Sequence, residues 1–187
     1  MSKVTIAGDV NGTGVFTIAS PNSNTNRTIT LPDATGTLLS TATPGVPIGG
    51  PAFSAYASNS LSITGNTSTK IVLNTELFDT NSCFDSNTNY RFTPTVAGYY
   101  QINFMVEGLG TASGYYVAQL KRNNTQVAVG ANFPTDATFG PVSAGAFLVQ
   151  MNGSTDYLEL YIQSSASRTI PTGVTIGMNG FLARSAT

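Results

Sequence analysis

The 187-residue chain has no histidine, no tryptophan, a single cysteine and only 9% charged residues. Each shortage removes a class of function. Without histidine the chain lacks the commonest general base at neutral pH and the commonest zinc ligand. One cysteine cannot close an internal disulfide, and it cannot supply an iron–sulfur or zinc–thiolate centre. Eight Lys+Arg stand against nine Asp+Glu, a net charge of −1. The basic residues are scattered. Nucleic acid and anionic membranes both demand clustered Lys/Arg, so neither partner is expected. No apolar run approaches the roughly 18–20 residues of a membrane span, so membrane insertion is not expected. The opening Met-Ser-Lys-Val-Thr-Ile has no apolar signal core, which gives the expectation of synthesis without Sec export.

Neutral polar residues fill the place of charge. Ser, Thr and Asn occupy about a third of the chain. Aromatics make up 10%, and Val, Ile and Leu are plentiful, so the chain has the apolar matter to fold. We find no window of helical spacing. Short runs of Thr, Val, Ile, Tyr and Phe alternate with Gly, Pro and Asn instead, the pattern of strands and turns. In Gln101 to Val106, the residues Ile102, Phe104 and Val106 share one face. In Tyr157 to Gln163, Leu158, Leu160 and Ile162 share a face, with Tyr157, Glu159 and Tyr161 on the other. Val174 to Met178 repeats the alternation, and 115–120 and 71–73 read as further strands. Many short strands predict an all-β sandwich or barrel.

Residues 1–43 form a separate β-rich anchor segment. They carry short strand-like pieces with too few large apolar residues for a core. Val15, Phe16, Ile18, Ile29, Leu31, Leu38 and Leu39 are its candidate contact residues. Unpaired strands are a liability, so this arm is expected to pair with other copies or another protein. Residues 44–50, rich in Pro and Gly, read as a hinge. Residues 51–187 remain as one domain.

That domain carries an ordered set of fragments: Pro51-Ala52-Phe53-Ser54-Ala55, Phe78-Asp79-Thr80-Asn81, Phe84-Asp85, Tyr90-Arg91-Phe92-Thr93-Pro94 and Val96-Ala97-Gly98-Tyr99-Tyr100. Leu120 to Asn123, Ala144 to Val149, Asp156 to Leu158 and Asn179-Gly180-Phe181-Leu182-Ala183 follow. In this order they resemble the C1q/TNF-like jelly-roll head. The resemblance implies a jelly-roll sandwich and a homotrimer. The chain departs from the animal C1q members in having no Gly-X-Y repeat, so complement function does not carry over. Phe16 to Pro21 and Thr25 to Leu39, with the string Leu31-Pro32-Asp33-Ala34-Thr35-Gly36-Thr37-Leu38, resemble segments of bacteriophage fibre and virion-surface proteins.

The residues support assembly independently. Adjacent strand residues face opposite ways, so Tyr99/Tyr100 and Tyr115/Tyr116 each turn one ring outward. With Tyr157, Tyr161 and Phe181 they are the expected trimer interface, since outward Tyr suits a buried contact with a polar rim. A second covering sheet, or a solvated surface, is the other account of those rings. Asp79 and Asp85 flank a loop that offers oxygen ligands to calcium, although such Asp residues commonly serve turns; no other cofactor is expected. Cys83 reads as a small buried apolar group. Gly12-Thr13-Gly14 and Gly108-Leu109-Gly110 open no helix and read as turns, not phosphate loops. Asn-X-Ser/Thr matches are chance in so Thr-rich a chain.

No two carboxylates are brought together by spacing, so catalysis is not expected. Loops 63–69, 108–114 and 132–141 carry groups able to hydrogen-bond a glycan. The sequence thus reads as a non-enzymatic, trimeric structural protein of a bacteriophage virion surface. Its arm docks on capsid or tail proteins and its head is displayed, as a capsid decoration or head fibre. A tail-fibre tip for host attachment, recognising a surface glycan, and a bacterial C1q-like binding module are the alternatives.

Overall fold

The alternation in Gln101 to Val106 needs cover for Ile102, Phe104 and Val106, and a second sheet supplies it. The computed structural model describes residues 10–15, 17, 19, 22–26, 28, 50–109, 114–133 and 140–186. All regular elements within them are strands. They are β1 (Ala52–Ala57), β2 (Leu61–Ile63), β3 (Thr69–Lys70), β4 (Thr75–Asp79), β5 (Phe84–Asp85), β6 (Arg91–Phe92) and β7 (Gly98–Glu107). Then come β8 (Tyr116–Arg122), β9 (Thr125–Val129), β10 (Ala131–Phe133), β11 (Val142–Met151), β12 (Leu158–Ser164), β13 (Arg168–Ile170) and β14 (Gly173–Ser185).

Two main sheets form the sandwich. The β7 sheet has six strands in the order β10-β11-β7-β14-β1-β4. The β12 sheet runs β5-β6-β12-β8-β9, with β3 also paired to β12. β13 and β2 make a small separate ribbon. Every strand pairing among the described residues is antiparallel, so one face of each sheet is free to meet solvent or a partner. The all-β jelly-roll expectation for this part of the chain holds. Among expected strands, 71–73 differs. The regular strand is Thr69–Lys70, while the Ile71 N–H still donates to the Leu160 carbonyl at 2.9 Å.

An aromatic stack joins the sheets. The Phe53 ring of β1 lies 4.2 Å from Phe92 of β6 and 5.1 Å from Phe84 of β5, centroid to centroid. Tyr100 of β7 meets Phe92 edge-on at 5.4 Å. Its hydroxyl donates to the Val96 carbonyl at 2.7 Å, so the ring is buried without an orphaned polar atom. Leu158, Leu160 and Ile162 of β12 and Ala118 and Leu120 of β8 complete that side of the core. Further along, the Ala118 N–H donates across the sandwich to the Ser143 hydroxyl at 2.9 Å.

Two local choices make the packing possible. Asn123 and Asn124 both hold positive φ, 51° and 65°, which gives the two-residue turn between β8 and β9 the twist a tight hairpin needs. Gly180 sits at an inward position of β14. A Cβ there would stand 2.5 Å from Ile102 Cδ1 and 2.8 Å from the Gln101 carbonyl oxygen.

The chain divides into two units, Met1–Leu38 and Leu39–Thr187. Of the candidate anchor residues, Val15 is exposed. Phe16, Ile18, Ile29, Leu31, Leu38 and Leu39 lie outside the described residues, as does 44–49 of the expected hinge.

Equilibrium denaturation checks this account of the core. Phe53→Ala is expected to lower unfolding free energy by about 3–5 kcal/mol. Gly180→Ala is expected to cost about 1–3 kcal/mol by overpacking. A Phe53→Ala loss below about 1 kcal/mol would show that the stack does not hold the sheets together.

Candidate assembly interface

The outer face of the β7 sheet is built from the residues that alternate with the core set. The register aligns Leu148, Gln101, Phe181 and Ala52 in one row across β11, β7, β14 and β1. The next row is Ala146, Asn103, Asn179 and Ser54, continued by Phe78 on β4. A third holds Ala144, Met105, Gly177 and Tyr56. On this face large apolar side chains remain open: Leu148 is 61% exposed, Phe181 49%, Phe78 50%, Leu77 62%, Met105 38% and Tyr99 37%. Charge is confined to the margins. Glu107 ends β7, Arg184 lies near the end of β14, and Glu76 and Asp79 lie on the edge strand β4.

The face also has relief. A groove of about 190 Å³ opens over Gly177, lined by Ser54, Tyr56, Leu77, Met105 and Asn179 among others. A second, of about 400 Å³, lies between Tyr99, Leu148, Gln150 and Arg184. A ridged, partly apolar sheet face with charge only at its margins suits docking against another protein surface.

The outer face of the β12 sheet is of another kind. Lys70 pairs with Glu159 and also donates to the Asn89 carbonyl. The Lys121 ammonium lies 3.8 Å from the Tyr161 ring centroid and donates to Ser68 Oγ at 3.0 Å. Arg91 covers the Tyr157 ring at 4.3 Å. Ser68, Gln119 and Gln163 continue as a hydrogen-bonded chain to the Asn66 carbonyl. Burial, then the neighbouring Glu159 charge, pushes the Tyr161 hydroxyl above its usual pKa range. Val127 and Val129 are exposed at the β9 edge, but the middle of this face is already satisfied within one chain.

The expected interface set therefore does not form one surface. Tyr99 and Phe181 lie on the outer face of the β7 sheet. Tyr157 and Tyr161 lie on the outer face of the β12 sheet, under cations. Tyr115 is partly exposed before β8, its hydroxyl donating to Asn66 Oδ1 at 2.9 Å. Tyr100 and Tyr116 are corrections. Both are wholly buried between the sheets, and burial pushes both hydroxyls above their usual range. Their side chains cannot meet a second copy. Sequence reasoning missed Leu148, Met105, Leu77 and Phe78, whose alternation with core residues was the available signal.

The acidic pair works in turns. Asp79 accepts the Phe84 N–H at 2.7 Å and the Asn81 N–H at 3.3 Å. Asp85 accepts the N–H groups of Asn87, Thr88 and Asn89 and the Asn89 side-chain amide, at 2.7–3.1 Å. Among the described residues no three His, Cys, Asp or Glu side chains gather as metal ligands. Cys83 is buried, with its sulfur near the Asn81 carbonyl and Thr95. Among the described residues no helix is long and apolar enough to cross a membrane.

Several loops converge at one end of the sandwich. Leu109 N–H donates to the Thr169 carbonyl, Gly108 N–H to Pro141, Ser165 N–H to Tyr115 and Asn66 N–H to Ser164. The chain enters at the other end, where Gly50 lies against Leu182 and Ala186 N–H donates to Ala97. The ten residues of β7 separate these ends by about 30 Å.

No family model matches the chain, and no curated protein matches it. Solved structures do resemble it. The PRD1 vertex protein P5 superposes with a TM-score of 0.55 at 18% identity, over 72% of this chain and 97% of its own. Eiger TNF from S. frugiperda gives 0.53 at 10% identity, over 74% of this chain and 94% of its own. Murine APRIL gives 0.52 at 9% identity, over 71% and 97%. These likenesses place the fold among the TNF/C1q-like jelly rolls. The resemblance of residues 1–43 to phage fibre segments has no sequence match behind it.

The Asp85 geometry has a measurable consequence. Hydrogen bonds from the Thr88 N–H and the Asn89 side chain, foremost, hold its pKa down from 3.8 to about 2. The depressed value means that the stabilisation is complete above pH 3.8 and is lost as pH falls through about 2. Asp85→Asn is expected to lower the denaturation midpoint at neutral pH, with the difference vanishing at the acid end. Parallel pH curves for the two proteins would refute this.

Proposed function

We propose that the protein is a non-enzymatic structural component of a bacteriophage virion surface. It assembles as a homotrimer through the outer face of the β7 sheet, docks on capsid or tail proteins through residues 1–43, and displays its jelly-roll head as a capsid decoration or head fibre. The observation that carries this reading is the contrast between the two outer faces. One carries charge only at its margins and leaves Leu148, Phe181, Phe78 and Leu77 open, while the other meets its own hydrogen-bonding and charge needs. The likeness of fold to the vertex protein of phage PRD1 supports the virion setting. The C1q/TNF-like resemblance supports three copies. The reading requires no catalytic group and no cofactor.

One observation favours a second reading, a tail-fibre tip that recognises a host glycan. Loops around 64–68, 108–109 and 165–169 are gathered at the end remote from Gly50. A groove lined by Ser62, Ile63, Leu109, Ser167, Arg168 and Thr169 opens there. Hydroxyl groups beside an apolar wall suit a saccharide, and three copies would multiply a weak site.

Solution mass tests the main reading. The full chain is expected at three times its 19.4 kDa, and residues 51–187 alone are also expected as a trimer. Phe181→Arg in the full chain is expected to weaken association by about 100-fold or more, because it sets a charge in the contact. A trimer unmoved by Phe181→Arg would place the contact on another face. A trimeric full chain with a monomeric 51–187 would assign assembly to the N-terminal segment.

A further inference from the structure

A residue beside a rotation axis meets its own copies, so it must be compatible with itself. An apolar side chain is. A primary amide is too, since it both donates and accepts. A charged group is not, because copies at close range repel. The middle of the β7 sheet's outer face satisfies this condition. Gln101 and Asn103 are successive outward residues of β7, and Asn179 stands opposite Asn103 on β14, with Ser54 beyond it on β1. Gln101 Nε2 donates to Asn103 Oδ1 at 3.2 Å, and Asn103 Nδ2 donates to Asn179 Oδ1 at 2.9 Å. Each amide offers two hydrogens and a carbonyl with two lone pairs. Two bonds among three amides leave much of that capacity unspent.

The surroundings decide what can take up the remainder. Leu148, Phe181, Met105 and Phe78 stand around the row, so any protein seated on this face would shut water away from the amides. A purely apolar partner would leave them unsatisfied, which is costly in a dry contact. A charged partner would find its counter-charges only at the margin, at Glu107, Arg184, Glu76 and Asp79. A second copy brings the same amides and the same apolar ridges.

We propose that the Gln101–Asn103–Asn179 row sets the register of the copy-to-copy interface. Amides of neighbouring copies pair across it, and the surrounding apolar side chains supply adhesion without specifying alignment. A single polar position within an apolar contact acts in this way in coiled coils, where it fixes register and copy number. The proposal rests on the trimer reading above, because it concerns the same face.

The test uses the full chain, with solution mass read against pH for Asn103→Asp and Asn103→Leu. Asn103→Asp is expected to run at the single-chain mass near pH 8, where the copies repel. It regains the wild-type mass near pH 4, because a carboxyl facing its own copies protonates above the usual Asp value and again donates and accepts. Asn103→Leu is expected to associate still, but as a spread of masses. Asn179→Asp on β14, at an exposed position, repeats the first measurement should Asn103→Asp not fold. If the aspartate variants and Asn103→Leu keep one wild-type mass throughout while Phe181→Arg dissociates, the face is used but the amide row does not set its register. A wild-type chain that runs as a monomer would instead overturn the trimer reading itself.

Discussion

A β-strand has two faces, and β7 must find an environment for both. Its inward set, Tyr100, Ile102, Phe104 and Val106, is met by the β12 sheet through the Phe53–Phe92–Tyr100 contacts. Its outward set, Tyr99, Gln101, Asn103 and Met105, has no such layer among the described residues. A two-layer sandwich can cover only two of its four sheet faces. The remaining two must be made wet or be given a partner. Much of the rest of the molecule follows from how those two faces are treated.

The β12 sheet is made wet, at the cost of ordering long side chains. Lys121 lies on Tyr161, Arg91 lies on Tyr157, and Lys70 is held by Glu159. The two cation–ring contacts add little stability at an exposed site, whereas the Lys70–Glu159 pair has a buried carboxylate that needs its partner. What the ring contacts do is remove exposed ring area and leave charge at the surface, which disfavours packing of that face against a copy of itself. The β7 sheet is treated in the opposite way. Among the described residues its rings have no cation over them, and the polar side chains at its middle are amides and the Ser54 hydroxyl. The two outer faces are therefore unequal in adhesion, and the proposed assembly uses the one that leaves apolar area open.

Alternation was readable from the sequence, and with it the strands, the inward set of β7 and β12, and the all-β class. Its phase was not always readable. Tyr99/Tyr100 and Tyr115/Tyr116 each promised one ring outward, but a run of two tyrosines does not say which. The Gly98 and Val96 surroundings settle it, since the Tyr100 hydroxyl reaches back to the Val96 carbonyl. Sheet membership was less readable still. Tyr157 and Phe181 look alike in composition, but β12 and β14 belong to different sheets, and only the order of pairing reveals this. Partners remote in sequence were out of reach for the same reason, as with Lys70 and Glu159, or Asn103 and Asn179. Turn chemistry is local, and there the Asp85 and Asn123-Asn124 signals could be read directly.

The two ends of the sandwich bear on what side-by-side assembly can accomplish. Packing through the β7 sheet runs across the strands, so it covers neither end. The end at Gly50, Leu182 and Ala186 receives the chain, and the end about 30 Å away carries the joined loops around Asn66, Leu109, Ser165 and Thr169. Under the proposed function, the end at Gly50 and the loop-bearing end lie a length of β7 apart. Of these loops only the one at Leu109 leaves the β7 sheet directly, while those at Asn66, Ser165 and Thr169 belong to β12 and to the β2/β13 ribbon and are tied to it by backbone hydrogen bonds. Under the proposed assembly, changes in these loops would leave the aromatic stack and the amides of β7 and β14 in place, since those contacts are made by Phe53, Phe84, Phe92, Tyr100, Gln101, Asn103 and Asn179.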